Sequence, residues 1–221
     1  MSTVLRVWLC AGAAALAACA SEPSYYWIRA PLELEPASAP NRPTLLVSSV
    51  RGASPYAADA MICRGPRGTL QNVHETWATS PVEMVHGYVV DVLRASGSFR
   101  YVGNEPAARF DETRTYRLEL ELLSFDFDLE ASPTTAVAEV RFILSRLKGA
   151  GADESGDVDR ILLAEALRDR QEAKGPEVPD WVEAMSGALA KISAQLRDKV
   201  SQEVRQDTAG IVPASGTPRG P

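Results

Sequence analysis

Three patterns predict an α+β fold, a single domain in which two main amphipathic helices pack on a twisted mixed β-sheet. The first is strict alternation. Tyr116, Leu118, Leu120 and Leu122 fall on every second residue, and so do Ala138, Val140, Phe142 and Leu144, the period of a strand with one covered face. The second is a pair of apolar stripes at three- and four-residue spacing, one over residues 80–96 and one over 180–206, each the buried face of a helix. The third is a set of short β-branched runs cut by glycine and proline, of which TLLVSSV at residues 44–50 is the plainest.

The chain divides into a leader at residues 1–18, a leash at 19–24, a folded domain at 25–206 and a tail at 207–221. Arg6 precedes an uncharged apolar run that ends at Leu16-Ala17-Ala18-Cys19. A positive start, a short apolar middle and a small-residue exit make a secretory signal peptide. The run is too short for a transmembrane helix, which needs about 20 apolar residues. The tail is rich in Gly, Pro, Ser and Thr and predicts disorder.

Within the domain, residues 25–34 (YYWIRAPLEL) read as a strand that Pro31 confines to a sheet edge. Three prolines make 35–43 a connection, 44–50 is a strand, and 51–58 is a loop. Residues 59–64, centred on Met61 and Ile62, form another strand. Gly65, Pro66 and Gly68 make a tight turn, and 69–73 pairs back as a hairpin leading to Trp77.

Ser80-Pro81-Val82-Glu83 is a capping box with proline at the first helical position. Val82, Val85, Val89, Val92 and Leu93 share the helix face, and Gly97 supplies a left-handed stop. FRYV at 99–102 resumes as a strand. Strand, helix, strand in this order predicts a parallel crossover.

After a loop at 104–113, the alternation over 114–129 changes phase at Leu122-Leu123. Either a β-bulge there or two covered faces would produce that change. A turn at Ser132-Pro133 leads to an antiparallel partner at 137–147, and 149–157 is a loop. Residues 160–173 have helix-prone composition, but their place between loops favours a strand interrupted at Glu165. Gly175 to Pro179 breaks it. Asp180 then opens the second helix, whose stripe is Trp181, Met185, Ala188, Leu189, Ile192, Leu196 and Val200.

Charge and chemistry narrow the function classes. The chain carries 23 basic and 29 acidic side chains, a net charge of −6. Removal of residues 1–18 takes Arg6 with it and leaves −7. An acidic domain of this kind lacks the basic footprint of a nucleic-acid binder. Of the three cysteines, Cys10 lies in the leader and Cys19 at its exit. Cys63 is then without a partner and predicted to be buried.

His74 and His86, the only two imidazoles, read as surface or structural side chains, since a metal site needs three or four clustered ligands. Asp126, Asp128 and Glu130 alternate with Phe125, Phe127 and Leu129, as on an exposed strand face. Gly65-Pro66-Arg67-Gly68 is a turn without the helix or Lys-Ser of a phosphate loop. Neither a nucleophile elbow nor a catalytic set is present, so the expectation is a non-enzyme without cofactor or metal. Tyr25, Tyr26 and Trp27 read as edge-strand packing or as a contact for lipid or a protein partner.

Leu-Ala-Ala-Cys looks like the lipobox of bacterial lipoproteins. With it, the Tyr26-x-Ile28 strand, TLLVSSVRGASPY, Met61-Ile62, Trp77 ahead of the first helix, FRYV, the long strand pair and the Ala-rich last helix follow in order. In that order the chain resembles the ABC-type transport auxiliary lipoproteins, the PqiC/YmbA-like group, over about residues 25–205. It departs from them in Cys63 and in the helix-prone 160–173 segment.

The resemblance implies cleavage before Cys19 and lipidation of that cysteine. With Ala20 rather than Asp next to it, the anchor would hold the protein at the periplasmic face of the outer membrane. The function it implies is that of an accessory subunit of a transporter moving phospholipid or other apolar molecules between envelope membranes. An MCE-type membrane-anchored protein, an ABC permease and its ATPase are the implied partners, with homo-oligomers possible. The alternative is a lipoprotein subunit of another envelope machine, a secretion pilot or a lipopolysaccharide-assembly component.

Overall fold

A computed structural model describes residues 24–28, 42–104, 114–147 and 160–211. The leader, Cys19, most of the leash, residues 29–41 (the rest of the first expected strand and most of the proline-rich connection), the loops at 104–113 and 149–157 in all or nearly all their length, and residues 212–221 lie outside the described residues. Among the described residues nine strands form one sheet, with two main helices and one short one, as an α+β domain. In chain order these are β1 (Tyr25–Tyr26), β2 (Thr44–Val47), β3 (Arg51–Gly52), α1 (Ser54–Ala57), β4 (Ala60–Arg64), β5 (Leu70–Trp77), α2 (Pro81–Ala95), β6 (Tyr101–Gly103), β7 (Thr115–Asp128), β8 (Thr135–Arg146), β9 (Arg160–Glu172) and α3 (Val178–Ile211).

The sheet is built around β7. One of its edges carries β8 in antiparallel register from Tyr116↔Arg146 to Asp128↔Thr135, and β9 pairs in turn with β8. The other edge carries three short parallel strands in succession. β2 lies beside residues 115–118, β3 beside 121–122 and β4 beside 127–128. β6 extends the sheet beyond β2, while β5 and then β1 extend it beyond β4.

Leu123 is the extra residue of a bulge. Leu122 faces Val140 and Ser124 faces Glu139, leaving it unopposed. The change of phase read from the sequence is this bulge, and it keeps Leu118, Leu120 and Leu122 on the same covered face as Phe125 and Phe127.

Both main helices lie on that face. α2 touches β6, β7 and α3, and α3 lies along β8 and β9. Ser80 Oγ accepts from the Glu83 backbone N–H at 3.3 Å, and Gly97 takes φ +61° just past the helix end. Val85, Val89, Val92 and Leu93 are buried, as are Met185, Ala188, Leu189, Ile192, Leu196 and Val200. Trp77 stacks on Phe127 and Phe127 packs tilted against Trp181, with ring centroids 6.1 Å and 5.7 Å apart, which joins β5, β7 and α3. The opposite face of the sheet is laced by ion pairs, among them Arg141–Glu121 at 2.9 Å and Arg51–Glu119 at 3.1 Å.

Five expectations need correction. Residues 51–58 are not all loop, since they hold β3 and α1. The hairpin strand expected over 69–73 does not stop there, since β5 takes in His74 and continues to Trp77, where it pairs with β1. The strands flanking α2 do not make the parallel crossover. β5 runs antiparallel to β4, and the parallel partner of β6 is β2. β9 is a strand as expected, but Glu165 does not interrupt it, since it pairs with Phe142 in continuous register there. Finally, α3 runs on past 206 to Ile211. Its last turns are tied down by Asp207, which accepts from Arg146 at 3.0 Å and from the Tyr116 hydroxyl at 3.0 Å.

Candidate functional site

The N-terminal edge presents the largest exposed aromatics among the described residues. On an extended chain successive side chains point to opposite sides. Tyr26 and Ile28 therefore turn inward, the first half-buried and packed on the core, the second buried. Tyr25 and Trp27 turn outward and are 66% and 53% exposed. β1 pairs with β5 alone, in parallel register Tyr25↔Thr76 and Tyr26↔Trp77, and Ala78 N–H donates to Tyr26 C=O at 2.8 Å. Its other edge is unpaired among the described residues. The three aromatics named from sequence are thus divided: two face solvent and one belongs to the core.

A second polar cluster was not legible in sequence. Asp126 is fully buried rather than on an exposed face. Its carboxylate accepts from the Tyr56 hydroxyl at 2.9 Å, from Arg64 Nε and Nη2 at 3.1 Å and 2.9 Å, and from Ser124 Oγ at 2.6 Å. The reason lies in the interrupted edge of β7. Neither β3 nor β4 reaches residues 123–126. Tyr56 of α1 occupies that gap and turns its hydroxyl onto Asp126. Burial, reinforced by Asp126, pushes the Tyr56 phenol above its ordinary value. Cys63, next to this cluster on β4, is buried and free. Burial first and the Asp126 charge second push its thiol up to about 11. A neutral buried thiol is a poor nucleophile, and both carboxylate oxygens of Asp126 accept from donors within the fold, so this cluster reads as a structural clasp.

The histidines are not brought together into a site. His74 is exposed on β5, and His86 is half-buried on α2 with Nε2 lacking a hydrogen-bond partner. Among the described residues no group of three His, Cys, Asp or Glu is placed to hold a metal ion. Asp128 is half-buried on the solvent side and pairs with Arg170 at 2.9 Å, while Glu130 is exposed. Gly65–Gly68 forms a tight turn, with Arg67 at φ 61° and Gly68 N–H donating to Gly65 C=O. No helix of the described residues is long and apolar enough to cross a membrane.

No family model matches the chain, and no curated protein matches it by sequence. Solved structures do match its fold. The crystal structure of protein XCC0632 from Xanthomonas campestris, of family DUF330, is similar with a TM-score of 0.68 at 21% identity, covering 84% of this chain and 99% of that one. A second crystal structure, of a protein described as uncharacterised, is similar with a TM-score of 0.60 at 15% identity, covering 81% of this chain and 99% of its own. At these identities what is shared is the fold, and it spans nearly the whole of both relatives.

Proposed function

We propose that the chain is a lipid-anchored accessory subunit of an ABC/MCE-type transport system. It would face the periplasm from the outer membrane and contribute a binding surface rather than chemistry. The observation that carries this reading is the aromatic edge at Tyr25 and Trp27. Unpaired backbone groups on a strand edge and flanking aromatics are the makings of a protein contact. Cys19 precedes Tyr25 by six residues. Fully extended, that leash reaches about 20 Å, which keeps the edge near the membrane surface to which a lipidated Cys19 would be held. The lipobox-like Leu16-Ala17-Ala18-Cys19 and the order of elements support the same assignment.

One experiment tests it. The protein is expressed with a palmitate analogue, its envelope location is read by fractionation, and it is recovered from membranes with its partners. Wild-type protein is expected to carry the label in the outer membrane and to bring down an MCE-type protein or its permease. Cys19→Ser should lose the label. Tyr25→Ala and Trp27→Ala should keep the label and lose the partner, whereas Tyr26→Ala acts through the core. Equal labelling of Cys19→Ser would overturn the anchor. Recovery of secretion or lipopolysaccharide-assembly components would transfer the chain to another envelope machine.

A further inference from the structure

We propose that a cleft between the end of α2 and the last turns of α3 binds an anionic amphiphile, a carboxylate or phosphate head carrying an apolar chain. The inference rests on the cleft alone and not on the transport reading. It lies where β2 and β6 begin. Its walls are Arg42 and the residue after it, the Ser96–Phe99 loop, and the α3 face that presents Ser201, Val204 and Arg205. Its volume of about 560 Å³ is in the range that small-molecule sites occupy, about 300–1,000 Å³.

Two observations specify the occupant. The first is charge. The whole chain has more acidic than basic side chains, yet this cleft is lined by two arginines and no acid. Arg42 donates to Gly97 C=O, which ties the entry to β2 onto the loop and fixes that guanidinium at the rim. Arg205 has no carboxylate partner among the described residues. The second is the floor. Phe99 and Val204 are both nearly fully buried and line the cleft with apolar surface.

A bare inorganic anion would satisfy the arginines and leave the floor uncovered. A neutral hydrocarbon would cover the floor and leave both guanidinium charges without a counter-charge.

The test titrates the full chain, kept soluble in a non-ionic maltoside detergent, with octyl phosphate, octanoate, octanol and inorganic phosphate. Binding is read by calorimetry and its place by hydrogen exchange. Octyl phosphate and octanoate are expected to bind and to protect residues 96–99 and 201–209, with octanol and inorganic phosphate at least about tenfold weaker. Arg205→Gln and Arg42→Gln, each with an unchanged melting temperature, should each weaken octyl phosphate by about tenfold. Arg205→Gln lies on an exposed helix position and serves if Arg42→Gln loosens the loop. Octanol binding as tightly as octyl phosphate would overturn the proposal, as would equal affinity for inorganic phosphate, protection elsewhere, or folded variants that bind like wild type. Binding that appears only after removal of residues 212–221 would make the chain's own end the occupant and would overturn it as well.

Discussion

Asp126 shows how far a single side chain can depart from its pattern. It alternates with buried phenylalanines, which puts it on the nominal solvent side of β7, yet it is fully buried. Removing its carboxylate strands the Tyr56 hydroxyl and Ser124 and frees the Arg64 guanidinium. Arg64 keeps over a third of its side chain in water, so the cost is below that of breaking a fully buried ion pair. Asp126→Ala is expected to destabilise by about 2–3 kcal/mol. Tyr56→Phe, which takes one donor away from the buried Asp126 carboxylate, is expected to cost about 1–2 kcal/mol. Denaturant midpoints with unchanged m-values would check both, and equal or reversed costs would mean that the clasp is centred elsewhere.

Alkaline titration is the second test at this scale. Burial raises the Cys63 thiol from its ordinary 9.0 to about 11 and raises Tyr56, Tyr88 and Tyr116 above 10.0. The fold therefore holds the neutral forms, and the unfolded chain gives up these protons first. This stabilisation is complete below the unfolded thiol's value and is lost as pH rises through the folded ones. Urea midpoints should fall between about pH 9 and 11. Cys63→Ala should move the onset up toward about pH 10, where the tyrosines begin. An unshifted onset would remove the thiol from the account.

Among the elements, the helices were the most legible. Their apolar positions repeat at helical spacing, and capping residues mark the start of α2. Val89→Asp on α2 and Leu189→Asp on α3 would each put a charge into a site with no partner. Each should cost upward of about 3 kcal/mol, read as a large fall in melting temperature. Two near-silent variants would mean that these faces are not buried.

The bulge at Leu123 was legible because a side-chain period of two reports a single extra residue. Strand status for β9 came from position, against its composition. The gap beside residues 123–126 was not legible, since Tyr56 and Asp126 are 70 residues apart and nothing local couples them. Nor was the far end of α3, because the partners of Asp207 come from β7 and β8. The exposed aromatics were half legible. Alternation separates Tyr26 from its neighbours, but which phase faces inward depends on β5.

At the scale of the whole molecule, the parallel edge of β7 has a consequence for the order of assembly. Thr44 pairs with Thr115, Arg51 with Glu121 and Cys63 with Phe127, partners 64 to 71 residues apart, whereas β7, β8 and β9 are consecutive antiparallel strands. Long loops are slow to close, and a chain made from its N-terminus presents β2, β3 and β4 before their central strand exists. The meander and α3 must come first, and the earlier half docks onto them last. Pulse-labelling hydrogen exchange should find β7 and β8 amides protected before those of β2 and β4, and the opposite order would refute this sequence of events. A polypeptide that cannot complete its sheet until its second half has been made stays threadable in the meantime, the condition a translocation channel requires of its cargo.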